Sequence, residues 1–264
     1  MHDSKALIEA LLPVVAQAGQ AIMSIYDGDF AVQQKDDNSP LTLADLESQH
    51  IILQALTLLT PQIPVLSEES AQAPWAQRKS WRQLWVVDPL DGTREFVKRN
   101  GEFTVNLALV VDHEPVLGII GVPAQRLAYW GGTGLGAFIQ HVGAAPEPVR
   151  ISAPGQPVRV AGSRSHTSVQ TAHYLRRIRA FELLSVGSAL KFCLIAQGKA
   201  DLYPRFGPTS EWDTAAGQAI LEAAGGHVTR MDGHRLRYNC RESLINGDFV
   251  AFNHASVLPA PLPA

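Results

Sequence analysis

One short segment, residues 85–93 with the sequence WVVDPLDGT, constrains this chain more than any other. Its apolar first half predicts a strand, and because Pro89 has no N–H to donate, we expect the chain to turn at Asp88. Such a turn can bring the carboxylates of Asp88 and Asp91 and the carbonyl oxygen of Leu90 toward one point. Oxygen ligands at this spacing suit Mg²⁺. Asp, Pro and Gly are also common turn residues, so an ordinary strand-to-turn connection stays open as the alternative.

The end of the same segment adds two features that favour phosphate. Gly92 lets a phosphate approach the backbone closely, because glycine has no side chain to obstruct it. Thr93 begins an expected helix, whose first N–H groups are free to hold an anion. The segment therefore indicates a place where a divalent cation and a phosphate can meet.

The composition is that of a globular protein and excludes several classes of function. The chain has 264 residues, of which 46% are hydrophobic and 18% charged, enough for a large core. A formal net charge of −3 gives no basic field for nucleic acid. Two cysteines, Cys193 and Cys240, are too few for a disulfide framework or a zinc site, so a reducing compartment fits. No stretch approaches the roughly 20 apolar residues of a membrane span, and we expect a cytoplasmic protein.

The hydrophobic periodicity divides the chain into two parts. The first part begins with two predicted helices and continues with predicted strands and a glycine-rich hairpin. The helices are expected over 4–26 and 43–59, and the strands over 65–66, 84–87, 103–111, 116–122, 127–130 and 137–140. The Gly-, Ala- and Pro-rich stretch 141–158 is the best candidate for a boundary between lobes.

Beyond this boundary, predicted strands and helices alternate, which is typical of an α/β lobe. The strands are expected over 159–161, 183–186 and 201–203, and the helices over 168–179, 188–197 and 214–224.

Three more acidic residues are candidates for the same site. Glu68 follows a short predicted strand and is expected to face a cleft with Glu69 turned away, although a solvated acidic loop is the alternative. Asp213 lies just before a predicted helix, where it can be a metal ligand, an N-cap or both. Asp45 forms the motif Thr42-x-x-Asp45, a capping box. Because like charges raise one another's pKa, we expect the metal-free site to be partly protonated or disordered.

Together, three separated motifs resemble the inositol monophosphatase superfamily of lithium-sensitive, Mg²⁺-dependent phosphomonoesterases. They are the run 88–93, the acid Glu68 and the pair Trp212-Asp213. The resemblance implies an α/β fold with a two-lobed, layered α-β-α-β-α sandwich that acts as a single catalytic unit. It places most metal ligands in a lobe over about 1–145, and the last ligand in a lobe over about 146–264 that also holds the nucleotide.

Within the superfamily, the chain is most similar to the bacterial 3′(2′),5′-bisphosphate nucleotidases. The stretches 38–45, 162–166, 187–193 and 203–213 carry this narrower resemblance. It implies hydrolysis of the 3′-phosphate of adenosine 3′,5′-bisphosphate (PAP) to AMP, and also of its sulfated analogue PAPS to APS.

The resemblance also implies roles for individual residues, with two or three Mg²⁺ ions in each site. The expected metal ligands are Glu68, Asp88, the Leu90 carbonyl, Asp91 and Asp213. The expected catalytic residues are Asp45, Glu68 and Thr93. The expected substrate-binding residues are Glu68, Leu90, Asp91, Gly92, Thr93, Ser163, His166, Gly187, Lys191 and Asp213.

Several alternatives stay open from the sequence. The site can belong to a phosphatase that acts on inositol monophosphate or fructose 1,6-bisphosphate, or to a non-catalytic nucleotide or Mg²⁺ sensor. Lys191 can be a surface cation, and Arg164 and His166 a solvated strand end. A basic helix face over 176–179 is expected to be solvated or a minor partner surface. Monomer and homodimer are equally compatible with the sequence, as is loose attachment to the inner membrane surface.

Overall fold

The computed structural model describes residues 4–34, 40–162 and 168–259. Two long helices form the first layer, and a short antiparallel pair of strands lies between them along the chain. The helices are α1 (Ser4–Tyr26) and α2 (Leu43–Leu59), and the strands are β1 (Val32–Gln34) and β2 (Pro40–Thr42). Helix α1 buries one stripe with the three- and four-residue spacing of an amphipathic helix, formed by Leu7, Ile8, Leu11, Val15 and Ile22.

Helix α1 also corrects one prediction. By length and composition alone, it is long and apolar enough to cross a membrane. The prediction that no stretch approaches a membrane span is therefore wrong on those two criteria. In the folded chain, the apolar stripe of α1 packs into the core beneath the first sheet, and a core helix passes the same test.

The second layer is a sheet of seven strands in sequence order. Its first two strands are parallel and all other neighbours are antiparallel. The strands are β3 (Val65–Ser67), β4 (Gln83–Asp91), β5 (Thr104–Val111), β6 (Glu114–Val122), β7 (Leu127–Gly132), β8 (Gly136–His141) and β9 (Glu147–Val149), and the short helices α3 (Trp75–Arg78) and α4 (Thr93–Val97) flank β4. The predicted glycine-rich hairpin is confirmed as β7 and β8. The sheet also extends through β9 into the stretch expected to separate the lobes.

Strand β4 departs from the predicted turn at Asp88. The strand continues through Pro89 because the chain forms a bulge there, a position where a missing N–H is tolerated. Asp88 is opposite Asn106 of β5 and Asp91 is opposite Thr104, so three steps on β4 match two on β5. Asn106 and Thr104 are two residues apart on β5 and therefore share a face. Their partners Asp88 and Asp91 consequently lie on one face of the sheet as well, although they are three residues apart on β4.

A second sheet of five strands follows, with the order β11-β10-β12-β14-β13. Strands β11 and β12 both pair in parallel with β10, whereas β13 and β14 are antiparallel additions that the sequence analysis missed. The strands are β10 (Val158–Gly162), β11 (Phe181–Ser185), β12 (Leu202–Arg205), β13 (His227–Arg230) and β14 (Phe249–Phe252), and the helices are α5 (Val169–Leu175), α6 (Leu190–Ala196) and α7 (Glu211–Ala223).

Two helix boundaries differ from the prediction. Helix α5 ends at Leu175, so Arg176 is its C-cap and no basic helix face extends over 176–179. Helix α7 begins at Glu211, three residues earlier than expected, because Ser210 takes the N-cap position.

Three buried clusters define five layers. One cluster joins α1 and α2 to the outer face of the first sheet. The largest cluster lies between the sheets, where it includes Ile120 of β6, Phe192 of α6 and Ala216 of α7. A third packs α5 against the far face of the second sheet, around Leu175 and Leu202. The order helix, sheet, helix, sheet, helix confirms the expected α-β-α-β-α sandwich.

Candidate metal and phosphate site

Three carboxylates meet where β3, β4 and α7 come together. Glu68 directly follows β3, and its backbone N–H donates to Val87 of β4 at 3.2 Å. Asp88 lies on β4, and Asp213 in the first turn of α7. One carboxylate oxygen from each of Glu68, Asp88 and Asp213 lies within 4.8 Å of the others. Acids that are up to 145 positions apart in the sequence (213 − 68) therefore share one point.

Burial makes this cluster of charges unfavourable without a cation. Burial raises the pKa of Asp88 well above its usual range, and the charges of Glu68, Asp91 and Asp213 raise it further. Burial, followed by the charge of Asp91, raises the pKa of Asp213 to about 8. A divalent cation offsets both effects, and an all-oxygen donor set is the one that Mg²⁺ prefers. The residues present therefore fit a divalent metal ion.

Asp213 is oriented by its place in helix α7. It occupies the third helical position, so the alternative of an N-cap is wrong, and its Oδ2 accepts a hydrogen bond from the Ser210 N–H at 2.8 Å. Glu211 in the same turn is fully buried, and its carboxylate accepts a hydrogen bond from the Asn239 N–H at 2.8 Å. Arg78 in turn donates to the Asn239 side chain at 3.0 Å. Two elements distant in sequence thus fix the start of α7.

Asp91 lies beside the three-acid group rather than within it. Its Oδ2 accepts from the Ala189 N–H at 2.6 Å, from Asn106 Nδ2 at 3.3 Å and from Thr104 Oγ1 at 3.4 Å. Burial raises its pKa to about 6, against the opposing charge of Lys191. Asp91 therefore joins the acidic cluster to the chain segment that precedes α6.

Thr93 and Asp45, two of the expected catalytic residues, are hydrogen-bonded to each other. Thr93 Oγ1 is 3.2 Å from Asp45 Oδ1 and 3.3 Å from the Leu90 carbonyl oxygen. The other oxygen of Asp45 accepts from the N–H of Thr42 at 2.8 Å and from its hydroxyl at 2.7 Å, which confirms the capping box. Asp45 thus caps α2 and contacts Thr93 at the same time.

Gly92 adopts the left-handed conformation that the sequence motif requires. Its φ is +90°, and a Cβ at this position would lie 3.1 Å from the Glu102 carbonyl oxygen and 3.3 Å from Ser188 Cβ. Only glycine fits without strain. Helix α4 begins at the next residue, Thr93, whose hydroxyl contacts Asp45.

Lys191 is buried, with 6% of its surface exposed, so the alternative of a surface cation is wrong. Its Nζ donates to the Ser188 carbonyl at 2.6 Å and the Val186 carbonyl at 3.3 Å, and lies 5.3 Å from the Tyr203 ring centroid. Burial lowers its pKa to about 8. Gly187, three residues before the start of α6, donates its N–H to Glu102 Oε2 at 2.9 Å. Lys191 therefore holds the segment 186–188 in place through two carbonyls, and Gly187 joins this segment to the first lobe.

Not every predicted site residue can be placed. Ser163 and His166, together with Arg164, lie outside the described residues. Their assignment to the nucleotide stays a prediction.

Four positioning groups escaped the sequence analysis: Ser48, Thr104, Asn106 and Glu211. Ser48 is buried on α2 and donates its hydroxyl to the Pro89 carbonyl at 2.7 Å, which holds the bulge in place. Thr104 and Asn106 are the two polar residues of the otherwise apolar strand β5. That isolated polarity, at a spacing of two, was the available signal.

The chain belongs to the inositol monophosphatase family, whose family model matches residues 3–258. Two relatives carry the name 3′(2′),5′-bisphosphate nucleotidase CysQ. The one from Salmonella typhimurium is 47% identical over 246 residues, which cover 92% of this chain and 98% of the relative. The one from Escherichia coli K12 is 44% identical over the same shares.

Solved structures agree with this assignment. CysQ from Bacteroides thetaiotaomicron, described as a bacterial member of the inositol monophosphatase family, superposes with a TM-score of 0.83 at 40% identity. The match covers 94% of this chain and 98% of that one. An inositol monophosphatase from Thermotoga maritima has a TM-score of 0.76 at 24% identity over 94% and 92% of the two chains, which shows the fold alone.

Proposed function

We propose that this protein is a Mg²⁺-dependent phosphomonoesterase that hydrolyses the 3′-phosphate of PAP to give AMP and phosphate. The observation that carries the proposal is the convergence of Glu68, Asp88 and Asp213 within 4.8 Å, beside the hydrogen-bonded pair Asp45–Thr93. Relatives that cover nearly the whole chain at up to 47% identity bear the nucleotidase name, which supports the choice of substrate.

The carboxylates of Glu68, Asp88 and Asp213 are the groups that would hold the metal, with Asp91 and the Leu90 carbonyl as further ligands. We propose two ions per site, and three ions per site are the alternative. When bound, Mg²⁺ neutralises charge on the phosphoryl oxygens and makes water easier to deprotonate.

The residues of the chain then have to bind the phosphate and move one proton. The N–H groups of Gly92 and Thr93 are proposed to donate to the phosphate, which their position at the start of α4 supports. The Thr93 hydroxyl donates to Asp45, which leaves its lone pairs free to accept a hydrogen bond from the attacking water. The water proton passes to Thr93 and Asp45 or to Glu68. The water oxygen forms the new bond to phosphorus as the bond to the 3′-oxygen breaks, and a second water molecule protonates the departing 3′-oxygen. General base catalysis of this kind contributes about 10²- to 10⁴-fold to the rate.

The nucleotide is proposed to bind on the C-terminal side of the site. Gly187 and Lys191 lie on that side, and Ser163 and His166 belong to the same proposal. A site that accepts a 5′-phosphate can also accept a 5′-phosphosulfate, so conversion of PAPS to APS is proposed as a second activity.

We infer that the stretches 1–145 and 146–264 act as one catalytic unit. Asp213 comes from the second stretch and Asp88 from the first, so neither part holds the acidic cluster alone. A cytoplasmic location remains a prediction.

The direct test is phosphate release from PAP in Mg²⁺, in EDTA and in Mg²⁺ with added Li⁺, with inositol 1-phosphate as the competing substrate. We expect release from PAP that requires Mg²⁺, is inhibited by Li⁺ and exceeds release from inositol 1-phosphate. Preference for inositol 1-phosphate would favour the polyol phosphatase. Tight PAP binding without any phosphate release would favour the sensor.

A further inference from the structure

Arg78 is a buried arginine outside the acidic cluster, and its contacts join the two parts of the chain. It is the last residue of α3, which lies between Glu68 and β4 in the sequence. Only 3% of its surface is exposed, although arginine is almost never fully buried without a partner. The partners of its guanidinium group all belong to one segment of the C-terminal part, residues 239–242.

The contacts between Arg78 and this segment run in both directions. Nη1 donates to Asn239 Oδ1 and to the Arg241 carbonyl, each at 3.0 Å, and Nη2 donates to the Glu242 carbonyl. In return, Asn239 Nδ2 donates to the Arg78 carbonyl at 2.7 Å. The guanidinium carbon also lies 4.9 Å from the centroid of the Trp75 ring. This set of acceptors needs the planar fork of arginine, which lysine does not have.

The residues that follow Arg78's partners hold the first turn of α7. The Asn239 N–H donates to the carboxylate of Glu211 at 2.8 Å, and the Glu211 N–H donates to the Leu244 carbonyl at 2.9 Å. Asn246 Nδ2 donates to the carbonyl of the N-cap residue of α7 at 2.8 Å. Asp213 belongs to this same turn. Arg78 is therefore connected to Asp213 through two intermediate residues, Asn239 and Glu211.

This connection is not an economical way to stabilise a core. Nε of Arg78 and Oε1 of Glu211 are both buried and have no hydrogen-bond partner among the described residues. Buried polar atoms of this kind weigh against stability, and apolar side chains of similar volume often replace buried charges at no cost. The choice of Arg78 and Glu211 therefore favours a use other than stability.

The acidic cluster depends on how the two parts of the chain are held together. Glu68 and Asp88 come from the first part and Asp213 from the second, and one oxygen of each lies within 4.8 Å of the others. Mg²⁺ requires nearly octahedral geometry with ligands at about 2.0–2.1 Å, so it tolerates little displacement of one ligand. The contacts of Arg78 join the chain just after Glu68 to the turn that carries Asp213, and so oppose such a displacement.

We propose that Arg78 is a positioning residue that sets the affinity of the site for divalent cations, because it holds the turn of Asp213 against Glu68 and Asp88. This inference rests on the proposed function and deepens it. Arg78 is not among the proposed ligands and acts through Asn239 and Glu211. Its loss weakens cation binding, whereas the binding of PAP is nearly unchanged once the cation is saturating.

The test measures Mn²⁺ binding to the full chain by calorimetry, without substrate. In Arg78→Gln, we expect the Kd for Mn²⁺ to rise about 10-fold, the lower end of the range for groups that orient a metal ligand. The Mg²⁺ concentration for half-maximal phosphate release from PAP should rise by a similar factor. At saturating Mg²⁺, KM for PAP should change less than about twofold.

Two further variants separate positioning from stability. Asn239→Gly deletes the side chain that bonds Arg78 but keeps the N–H that donates to Glu211, and glycine readily adopts the φ of +47° found here. It should raise the Kd for Mn²⁺ as Arg78→Gln does. Arg159→Gln is the matched control, because it removes arginine contacts to Asp201 and the Gly198 carbonyl, which the site does not use. It should lower the melting temperature and leave the Kd for Mn²⁺ unchanged.

The outcomes distinguish this inference from the proposed function. The inference is overturned if Arg78→Gln lowers the melting temperature without weakening Mn²⁺ binding, if Arg159→Gln weakens Mn²⁺ binding equally, or if only KM for PAP rises. A wild-type protein that binds Mn²⁺ but releases no phosphate from PAP would overturn the proposed function, and Mn²⁺ binding would still report on Arg78. Thermal unfolding confirms folding, and Asn239→Gly carries the test if Arg78→Gln does not fold.

Discussion

At the scale of single residues, several acidic groups of the site have both a structural and a chemical role. Asp45 caps helix α2 through one oxygen and contacts Thr93 through the other. Asp213 orients itself through the Ser210 N–H while its carboxylate group faces Glu68 and Asp88. A ligand that is fixed in this way needs little reorganisation when it binds a metal ion or a proton.

Replacement of Thr93 by valine tests the Asp45–Thr93 pair. The substitution removes the hydroxyl and nearly preserves the shape, so we expect kcat for PAP to fall about 10²- to 10³-fold. The melting temperature should change little. The matched control is Thr57→Val, which removes an exposed hydroxyl that bonds the Leu53 carbonyl at 2.8 Å and should leave kcat unchanged. A Thr93→Val enzyme with wild-type kcat would exclude the hydroxyl from catalysis.

The sequence predicted which residues converge better than it predicted the contacts that hold each residue in place. The acids Glu68, Asp88 and Asp213 follow from local motifs, because each lies at the end of a predictable element. The burial of Lys191 could not be predicted from the sequence. Its Nζ donates to the carbonyls of Val186 and Ser188, which come together around it only in the folded chain.

At the scale of elements, β4 and α4 form the centre of the site. The bulge at Pro89 brings Asp88 and Asp91 to one face, and the left-handed Gly92 turns the chain into α4. The strand and the following helix were predictable from residues 85–93. The bulge was not, because it is defined by the register against β5, which is a long-range pairing.

A glycine-to-alanine pair tests the turn into α4. In Gly92→Ala, the new Cβ meets the Glu102 carbonyl at 3.1 Å and the backbone has a φ of +90°. We expect the free energy of unfolding to fall by about 1–3 kcal/mol, and kcat/KM for PAP to fall as well. Gly134→Ala is the control, because its φ is +77° and nothing lies within 4 Å. Equal activity of the two variants in the phosphate-release assay would contradict a role for this turn.

At the scale of the whole molecule, α7 joins the two sheets. It packs in the core between them and carries Asp213 to the acids of the first sheet. Gly118 of β6 allows this contact, because a Cβ there would lie 2.3 Å from the Ala216 carbonyl oxygen. The layer order was predictable from the family resemblance, whereas this close approach was not, since nothing local to Gly118 marks it.

The metal-free protein should lose stability as the pH rises. Asp213 and Asp91 have folded pKa values of about 8 and about 6, above the usual 3.8. The folded state therefore binds these protons more tightly, and their contribution is complete below about pH 4 and lost as the pH rises to about 8. The lowered pKa of Lys191 acts only above about 8.

We expect the melting temperature in EDTA to fall on the order of 5 °C between pH 5 and pH 8. Added Mg²⁺ should raise it more at pH 8 than at pH 5, because metal binding competes with protons. Calorimetry at several pH values measures both effects. In the variant Asp213→Asn, the pH dependence should be smaller, and a melting temperature in EDTA that rises toward pH 8 would contradict the account.

The central claim, that acids from three elements hold divalent ions, is tested most directly by crystallography with Mn²⁺. Crystals soaked in Mn²⁺, AMP and phosphate should give an anomalous peak about 2.0–2.3 Å from carboxylate oxygens of Glu68, Asp88 and Asp213. The phosphate should lie next to that peak, beside Thr93. A protein that releases phosphate from PAP, yet shows no anomalous peak among these three acids, would contradict the account.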